Sequence, residues 1–188
     1  DSRVIYGGTE IRYDSRDNIF IPNRGFLYKA LYVYGDKRIY NRTNSLNSDD
    51  RSYSMQKYSM DIDVYFSFFK RQSMLIRFFA GQVVSDKLED ADFYKVGGIK
   101  NIRGYREEQF RASKFTYGTI EMRYSFSRKS FASIFIDPGY YYKPLDEVNN
   151  IPKQEGFLMG YGLGIRIETG IGLIGINYAI GKEEGSND

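Results

Sequence analysis

The sequence predicts an all-β protein, an antiparallel transmembrane β-barrel of which about eight strands are present. Three observations indicate this fold class. Apolar and polar residues alternate with a period of two along almost the whole chain of 188 residues. The alternating segments are about twice as long as the usual soluble strand of about 5 to 6 residues. Their more apolar faces carry no charged residue, although 27% of the chain is charged.

Eight alternating segments are predicted to be strands. In chain order they span residues 4–14, 25–35, 57–69, 72–84, 115–127, 131–142, 157–168 and 171–180. About a dozen residues, at about 3.4 Å each and a tilt near 40°, cross roughly 30 Å, which is the thickness of the hydrocarbon core of a membrane. No apolar run reaches the roughly 18 to 20 residues that a membrane-spanning helix needs.

The two faces of these segments differ in charge. The apolar faces of the third and fifth segments consist of Tyr58, Met60, Ile62, Val64, Phe66 and Phe68, and of Ile120, Met122, Tyr124 and Phe126. The opposite faces carry charged residues, among them Asp61, Asp63, Glu121 and Arg123. An Arg or Lys that faces lipid at the membrane midplane costs about 2 to 4 kcal/mol, which accounts for the exclusion of charge. The apolar faces are therefore predicted to face lipid and the polar faces to line a lumen.

A soluble β-sandwich is the alternative fold, because its buried face would also lack charge. The strand lengths argue against it. So do the tyrosines near strand ends on the apolar faces, since aromatic girdles are typical of membrane barrels. These tyrosines are Tyr28, Tyr34, Tyr58, Tyr140, Tyr142 and Tyr178.

Tight and long connections alternate along the chain. The tight turns are 70–71, 128–130 and 169–170, and the long polar connections are 36–56, 85–114 and 143–156. Short turns face the periplasm and long loops the exterior in bacterial outer-membrane barrels, so the connection 15–24 is expected on the periplasmic side. Both chain ends then lie outside, and we expect the chain to be the C-terminal part of a larger barrel. A self-contained eight-stranded barrel is the alternative.

Composition excludes much of ordinary enzyme chemistry. The chain has no Cys and no His, which rules out a disulfide, a thiolate or imidazole metal site and a histidine-dependent triad. The glycine-rich run 160–164 lies inside an alternating strand, unlike a nucleotide-binding loop, so no cofactor is expected. A net charge of +3 is too small to indicate nucleic-acid binding.

The carboxylates of the polar faces have two interpretations. They are an acid and base pair of a hydrolase, or they form ion pairs with arginines in a polar lumen. The carboxylates are Asp61, Asp63, Glu121 and Asp137, and the arginines are Arg77, Arg103, Arg123 and Arg166.

Four short motifs stand in order along the chain. They are Asp14, Arg16 and Asp17 followed by Pro22 and Gly25; Ile102, Arg103, Gly104 and Tyr105 in the longest loop; Gly118 and Glu121; and Asp137 and Gly139. Together they resemble the Asp-x-Arg-Asp…Pro-x-x-Gly turn, the Val/Ile-Arg-Gly-Phe/Tyr signature, Gly-x-x-Glu and Phe/Trp-x-Asp-x-Gly of one family. This is the superfamily of BamA, TamA and FhaC, the outer-membrane assembly and translocation barrels, also described as bacterial surface antigen barrels.

The resemblance implies a sixteen-stranded barrel, of which the strands here would be the eighth to fifteenth, without the closing strand. The loop 85–114 would fold from outside into the lumen with Arg103 as its tip cation and Glu121 and Asp137 as lumenal partners. Gly104 would permit the tight tip, and Tyr105 would pack beside it. Pro138 departs from the pattern because it removes one ladder donor, so a bulge or an edge is expected there.

The resemblance also implies a non-enzymatic barrel of the bacterial outer membrane that inserts or translocates other proteins. Its partners would be outer-membrane lipids including lipopolysaccharide, client outer-membrane or secreted proteins, and accessory assembly subunits, with no nucleic acid. Two alternatives stay open. One is a passive pore or surface-structural barrel that shares only the fold, and the other is a membrane anchor and translocator for an attached enzyme such as a patatin-like lipase.

Overall fold

The computed structural model describes residues 2–39, 51–145 and 152–184, and this part of the chain consists of strands and their connections. The strands are β1 (Ser2–Asp14), β2 (Gly25–Ile39), β3 (Arg51–Phe69), β4 (Gln72–Ser85), β5 (Tyr94–Val96), β6 (Phe110–Ala112), β7 (Lys114–Ser125), β8 (Phe131–Lys143), β9 (Gln154–Thr169) and β10 (Gly172–Glu184). The same ranges hold no helix that is long and apolar enough to cross a membrane.

Eight long strands form one antiparallel sheet. Its order is β1-β2-β3-β4-β7-β8-β9-β10, so each strand pairs with the next long strand of the chain. β5 and β6 pair only with each other, as a small hairpin inside the connection between β4 and β7. β1 and β10 are the edges, and over the described ranges the sheet is open. The predicted fold class, an all-β antiparallel sheet of a partial barrel, is confirmed.

All eight predicted strands are present, and several are longer than predicted. β2 continues to Ile39, and β3 begins at Arg51. The predicted connections 36–56 and 143–156 lie partly outside the described residues. The sequence pattern does not predict β5 and β6, because three residues are too few to show a period.

The sheet has its polar residues buried and its apolar residues exposed. On β7 and β8 the buried side chains include Thr119, Glu121, Ser133 and Asp137, and the exposed ones include Ile120, Met122, Ile134 and Ile136. We call the face with the buried polar residues the inner face and the opposite one the outer face. This is the reverse of a soluble sandwich, in which the apolar face is covered.

The pairing between β7 and β8 is interrupted at Pro138. Residue pairs extend to Tyr117 with Gly139 and resume at Ile120 with Ile136. Proline has no backbone N–H to donate to the neighbouring strand. The register is the same on both sides, so the irregularity expected here is a gap in the pairing rather than a bulge.

Two connections from opposite ends of the sheet fold onto the inner face. The connection between β4 and β7 comes from one end, and the connection 15–24 between β1 and β2 comes from the other. A polar cavity of about 330 Å³ lies between them, with residues of both connections in its wall. The inner face therefore carries the charged motifs of the sequence, and the two connections determine what reaches them.

Candidate functional site

Asn101 holds the connection between β4 and β7 in a compact form. Its side-chain oxygen accepts hydrogen bonds from the backbone N–H groups of Gly97 and Ile102, both at 2.8 Å, and its amide donates to the Lys95 carbonyl at 3.1 Å. Gly97 has φ 104° and Gly98 has φ 96°, a region that side chains other than glycine rarely adopt. This local frame presents the following four residues, 102–105, to the sheet.

Ile102 anchors the loop through its side chain, which is 0% exposed. It belongs to a cluster of buried residues whose other members are Val96, Ala112, Phe115, Tyr117, Tyr141 and Leu158. Gly139 on β8 makes room for it, because a Cβ at this glycine would collide with Cδ1 of Ile102. A Cβ at Gly118 would meet its nearest atom at 3.5 Å, an ordinary contact, so packing does not require glycine there.

Arg103 joins the loop tip to two carboxylates of the inner face. Its Nε and Nη2 donate to the two oxygens of Asp137 at 2.7 and 2.8 Å, and its Nη1 donates to Glu121 at 2.7 Å. The backbone N–H of Arg103 also donates to Asp137, at 3.2 Å. Thr119 completes the arrangement with a 2.9 Å hydrogen bond to Asp137, which is 0% exposed. Fork-shaped bonds of this kind fix orientation as well as position.

The surroundings of the Arg103 guanidinium favour its charged form. Burial alone would lower the pKa of Arg103, but the hydrogen bonds and charges of Asp137 and Glu121 raise this pKa above its ordinary value. The guanidinium carbon also lies 3.4 Å from the centroid of the Phe135 ring, in a cation–π contact. Arg103 is thus a permanent cation at the loop tip.

Two glycines let the loop tip lie directly on the backbone of the sheet. Gly104 has φ 98°, and a Cβ there would come within 2.6 Å of the Gly181 backbone nitrogen on β10. A Cβ at Gly160 on β9 would overlap the carbonyl oxygen of Arg103. The glycine-rich run 160–164 therefore provides a contact surface for the loop.

Tyr105 extends the contact between the loop and β9 and β10. Its hydroxyl donates to the Lys182 carbonyl at 2.5 Å and accepts from the Met159 backbone N–H at 3.1 Å. Its ring packs edge-on against Phe110, with centroids 5.7 Å apart. The four residues 102–105 thus contact β8, β9 and β10 as well as β7.

Side-chain hydrogen bonds structure the connection between β1 and β2. Arg16 donates to both oxygens of Asp14, at 2.8 and 2.7 Å. Asp17 accepts from the backbone N–H groups of Asn23 at 2.9 Å and Arg24 at 3.1 Å, which closes the turn. The turn is therefore defined by its own side chains before it contacts the sheet.

Gly25 and Pro22 complete this turn. Gly25 has φ 112°, and a Cβ there would lie 2.6 Å from Cα of Arg16, so the close return of the chain requires glycine. Pro22 is buried on the inner face, and its carbonyl accepts a hydrogen bond from Nη1 of Arg123 at 3.2 Å. The Nε of Arg123 donates to Glu121 at 2.7 Å. Glu121 thus lies between Arg103 of the loop and Arg123 of the sheet.

The inner-face carboxylates pair with arginines, which favours their structural interpretation over an acid and base role. Arg77 binds Asp63 through two hydrogen bonds of 2.6 and 2.7 Å. Arg166 donates instead to a backbone carbonyl, that of Phe20, at 3.4 Å. Over the residues that the structure describes, no group of acidic side chains is arranged to hold a metal ion.

Lys37 is a contact of the loop that the sequence analysis missed. Its side chain is 1% exposed, and its ammonium contacts Asp92 and, at 2.9 Å, Glu89. Both carboxylates lie in the first part of the connection between β4 and β7. Lys37 lies near the end of β2, where no sequence motif marks it. A charged residue on an inner-face position is the only signal that the sequence offers.

The geometry defines a class of protein. Long antiparallel strands, an exposed apolar outer face and a charged inner face contacted by a long loop are the features of an outer-membrane β-barrel. The model of the Omp85 superfamily domain matches residues 5–188. The chain belongs to the Omp85 superfamily, which confirms the predicted family. Membership assigns it to the bacterial outer membrane and, in general terms, to outer-membrane protein assembly or translocation, in which such barrels work with client proteins and accessory subunits.

Proposed function

We propose that residues 1–188 form part of a non-enzymatic barrel that inserts client proteins into the outer membrane or translocates them across it. The observation that carries this proposal is the contact of Arg103 with Asp137 and Glu121 inside an Omp85 domain. A passive wall of lipid-facing strands does not need a loop tip seated on its inner face. A barrel that handles other chains needs an inner surface of fixed shape.

The connection 85–114 acts in this proposal as a lumenal element with a defined position. Ile102, Gly104 and Tyr105 seat it by packing and backbone contact, and Arg103 orients it by charge. Gly118 and Gly139 belong to the strands that receive it. The turn formed by Asp14, Arg16, Asp17, Pro22 and Gly25 supports the inner face from the periplasmic end.

The proposed partners follow from this role. Lipids of the outer membrane, including lipopolysaccharide, contact the apolar outer face. Client outer-membrane or secreted proteins, together with accessory assembly subunits, contact the rest of the working protein.

Replacement of Arg103 tests the proposal in the full-length protein in its own membrane. Arg103→Ala leaves the buried Asp137 without its main counter-charge, at a cost of about 3 to 5 kcal/mol. We expect the loop to become sensitive to protease and client assembly or secretion to fall. Arg106→Ala is the matched control, because Arg106 is an exposed arginine of the same loop. Unchanged client handling by Arg103→Ala, with the barrel folded, would overturn the proposal.

Electrical recording separates this function from a passive pore. A steady wide conductance that Arg103→Ala does not alter would favour the pore. Conductance that is low in the parent protein and rises in Arg103→Ala supports a seated loop. An anchor for an attached enzyme would instead show client-independent release or display of its own enzyme domain.

A further inference from the structure

Arg123 lies where the two inward connections meet on the inner face. On one side its Nε donates to Oε1 of Glu121 at 2.7 Å, while the other oxygen of Glu121 accepts from Nη1 of Arg103 at 2.7 Å. On the other side its Nη1 donates to the Pro22 carbonyl at 3.2 Å. A continuous chain of hydrogen bonds thus extends from the loop tip to the periplasmic turn.

The turn contacts the sheet around this point. Ile21 is buried, and Asn23 accepts hydrogen bonds from Ser67 on β3 and Ser73 on β4, each at 3.2 Å. The part of the turn that contains Pro22 is therefore seated on the inner face, and Arg123 contacts it through a backbone carbonyl. Movement of Arg123 would change the support of this seated segment.

Aromatic rings fix the plane of the Arg123 guanidinium. Its carbon lies 4.9 Å from the ring centroid of Phe131 and 5.5 Å from that of Tyr65. A planar guanidinium placed between rings can donate in two fixed directions at once, which a lysine ammonium on a flexible stem does not reproduce. The side chain is built to bridge two acceptors.

We infer that Arg123 is a positioning residue that couples the loop to the periplasmic turn, so that release of the loop tip on one side of the membrane loosens the turn on the other. When Arg103 leaves, Glu121 has only Arg123 as a guanidinium partner. Arg123 is then free to reorient toward both oxygens of Glu121 and away from Pro22. The inference goes beyond the proposed function, on which it rests for the assumption that the loop is released during work.

Chemical labelling of the turn tests the coupling. The chain contains no cysteine, so Ile19→Cys, an exposed turn position, gives one probe within residues 1–188. The rate of its reaction with a maleimide is measured on the full-length protein in detergent micelles, where both ends are accessible. Arg103→Ala is expected to raise this rate by about fivefold or more, the lower end of measured couplings between sites.

Arg123 variants show whether this residue transmits the effect. Arg123→Gln is expected to raise the labelling rate by itself and to remove most of the response to Arg103→Ala. Arg123→Lys keeps the charge without the two-directional fork and is expected to behave like Arg123→Gln. Arg77→Gln is the matched control, because Arg77 is also an inner-face arginine paired with a carboxylate, and it should leave the response intact.

The reverse experiment avoids both arginines. Asp17→Ala opens the turn by removing the acceptor of two backbone hydrogen bonds, and Lys100→Cys reports on the loop. Coupling free energies are reciprocal, so Asp17→Ala should accelerate labelling at position 100 by a similar factor. The inference is wrong if Arg103→Ala leaves the Ile19→Cys rate unchanged, or if its effect is the same with Arg123→Gln. Client handling is not the readout, so that result would leave the proposed function standing.

Discussion

The Arg103 guanidinium holds the loop by geometry as well as by charge. It satisfies both oxygens of the fully buried Asp137 and one oxygen of Glu121, so the carboxylates and the cation depend on each other. Such a buried group contributes less net stability than its Coulomb attraction indicates, since all members lose hydration. Its main effect is specificity, because only one position of the loop satisfies all the charged groups together.

Glycines give this arrangement its closeness, and Gly160 provides the sharpest test. We expect Gly160→Ala to destabilise the seated loop by about 1 to 3 kcal/mol, because the new Cβ would overlap the Arg103 carbonyl oxygen and neither backbone can yield cheaply. The change is measured as protease cleavage of the loop and as the thermal unfolding midpoint of the full-length protein in micelles.

Gly175→Ala is the matched control for this change. A Cβ at Gly175 on β10 would meet as its nearest atom the Nε of Arg166, at 3.9 Å, which is an ordinary contact. We expect no added loop cleavage in that variant. Equal effects of the two substitutions would mean that strand flexibility, rather than contact with Arg103, explains the glycine at position 160.

Among the elements, the connection between β4 and β7 is fixed at three places. Lys37 contacts its first part, the apolar cluster around Ile102 covers its middle, and Arg103 holds its tip. The three contacts differ in chemistry and involve different strands. Loss of one of them should therefore loosen one part of the connection while the others stay seated.

Lys37→Ala should release the first part of the connection. The substitution leaves Asp92, which is largely buried, and Glu89 without their cation, and a broken buried pair costs about 3 to 5 kcal/mol. We expect protease to cut within residues 86–93 while the loop tip stays protected. Mass spectrometry of the early fragments identifies the first cut.

Lys29→Ala is the corresponding control on the same strand. Lys29 pairs with Glu10 at 3.4 Å, and both side chains are exposed, so the pair contributes only about 0 to 1 kcal/mol. Cleavage that begins at the loop tip in Lys37→Ala would contradict the division of the connection into separately held parts.

The long strands could be predicted because alternation over a dozen residues is a strong signal, whereas the contacts of the loop could be predicted only where a motif marks them. Arg103, Glu121 and Asp137 stand in motifs. Lys37 and Asp92 do not, and 55 positions separate them in the chain. The acceptor for Arg123 on the turn is a backbone carbonyl, which every residue possesses, so no residue type identifies it.

For the whole molecule, the decisive feature is the reversed position of apolar residues. The outer face exposes many large apolar side chains, which water would penalise and lipid would favour. The inner face buries ion pairs under two connections. The alternation in the sequence predicts two unlike faces, but the choice between a lipid-facing and a packed apolar face depends on long-range structure. The open apolar face of the structure, together with the superfamily match, makes that choice.

Ile134→Arg tests whether the outer face contacts lipid. Ile134 is 55% exposed near the middle of β8. In a membrane an arginine there costs about 2 to 4 kcal/mol, so we expect less folded protein in the outer membrane and a lower unfolding midpoint in lipid. Ile171→Arg is the control, since Ile171 is 93% exposed and lies in the turn between β9 and β10.

The comparison of these two variants depends on solvent and not on contacts within the protein. Both positions are open, so in water an arginine would be tolerated at either one, and a difference between them measures the surrounding medium. A large loss for Ile134→Arg with little for Ile171→Arg fits a lipid-facing sheet. Equal tolerance in lipid would mean that β8 is outside the hydrocarbon layer. Equal and severe losses would mean that a packed protein layer covers both positions, as the sandwich alternative requires.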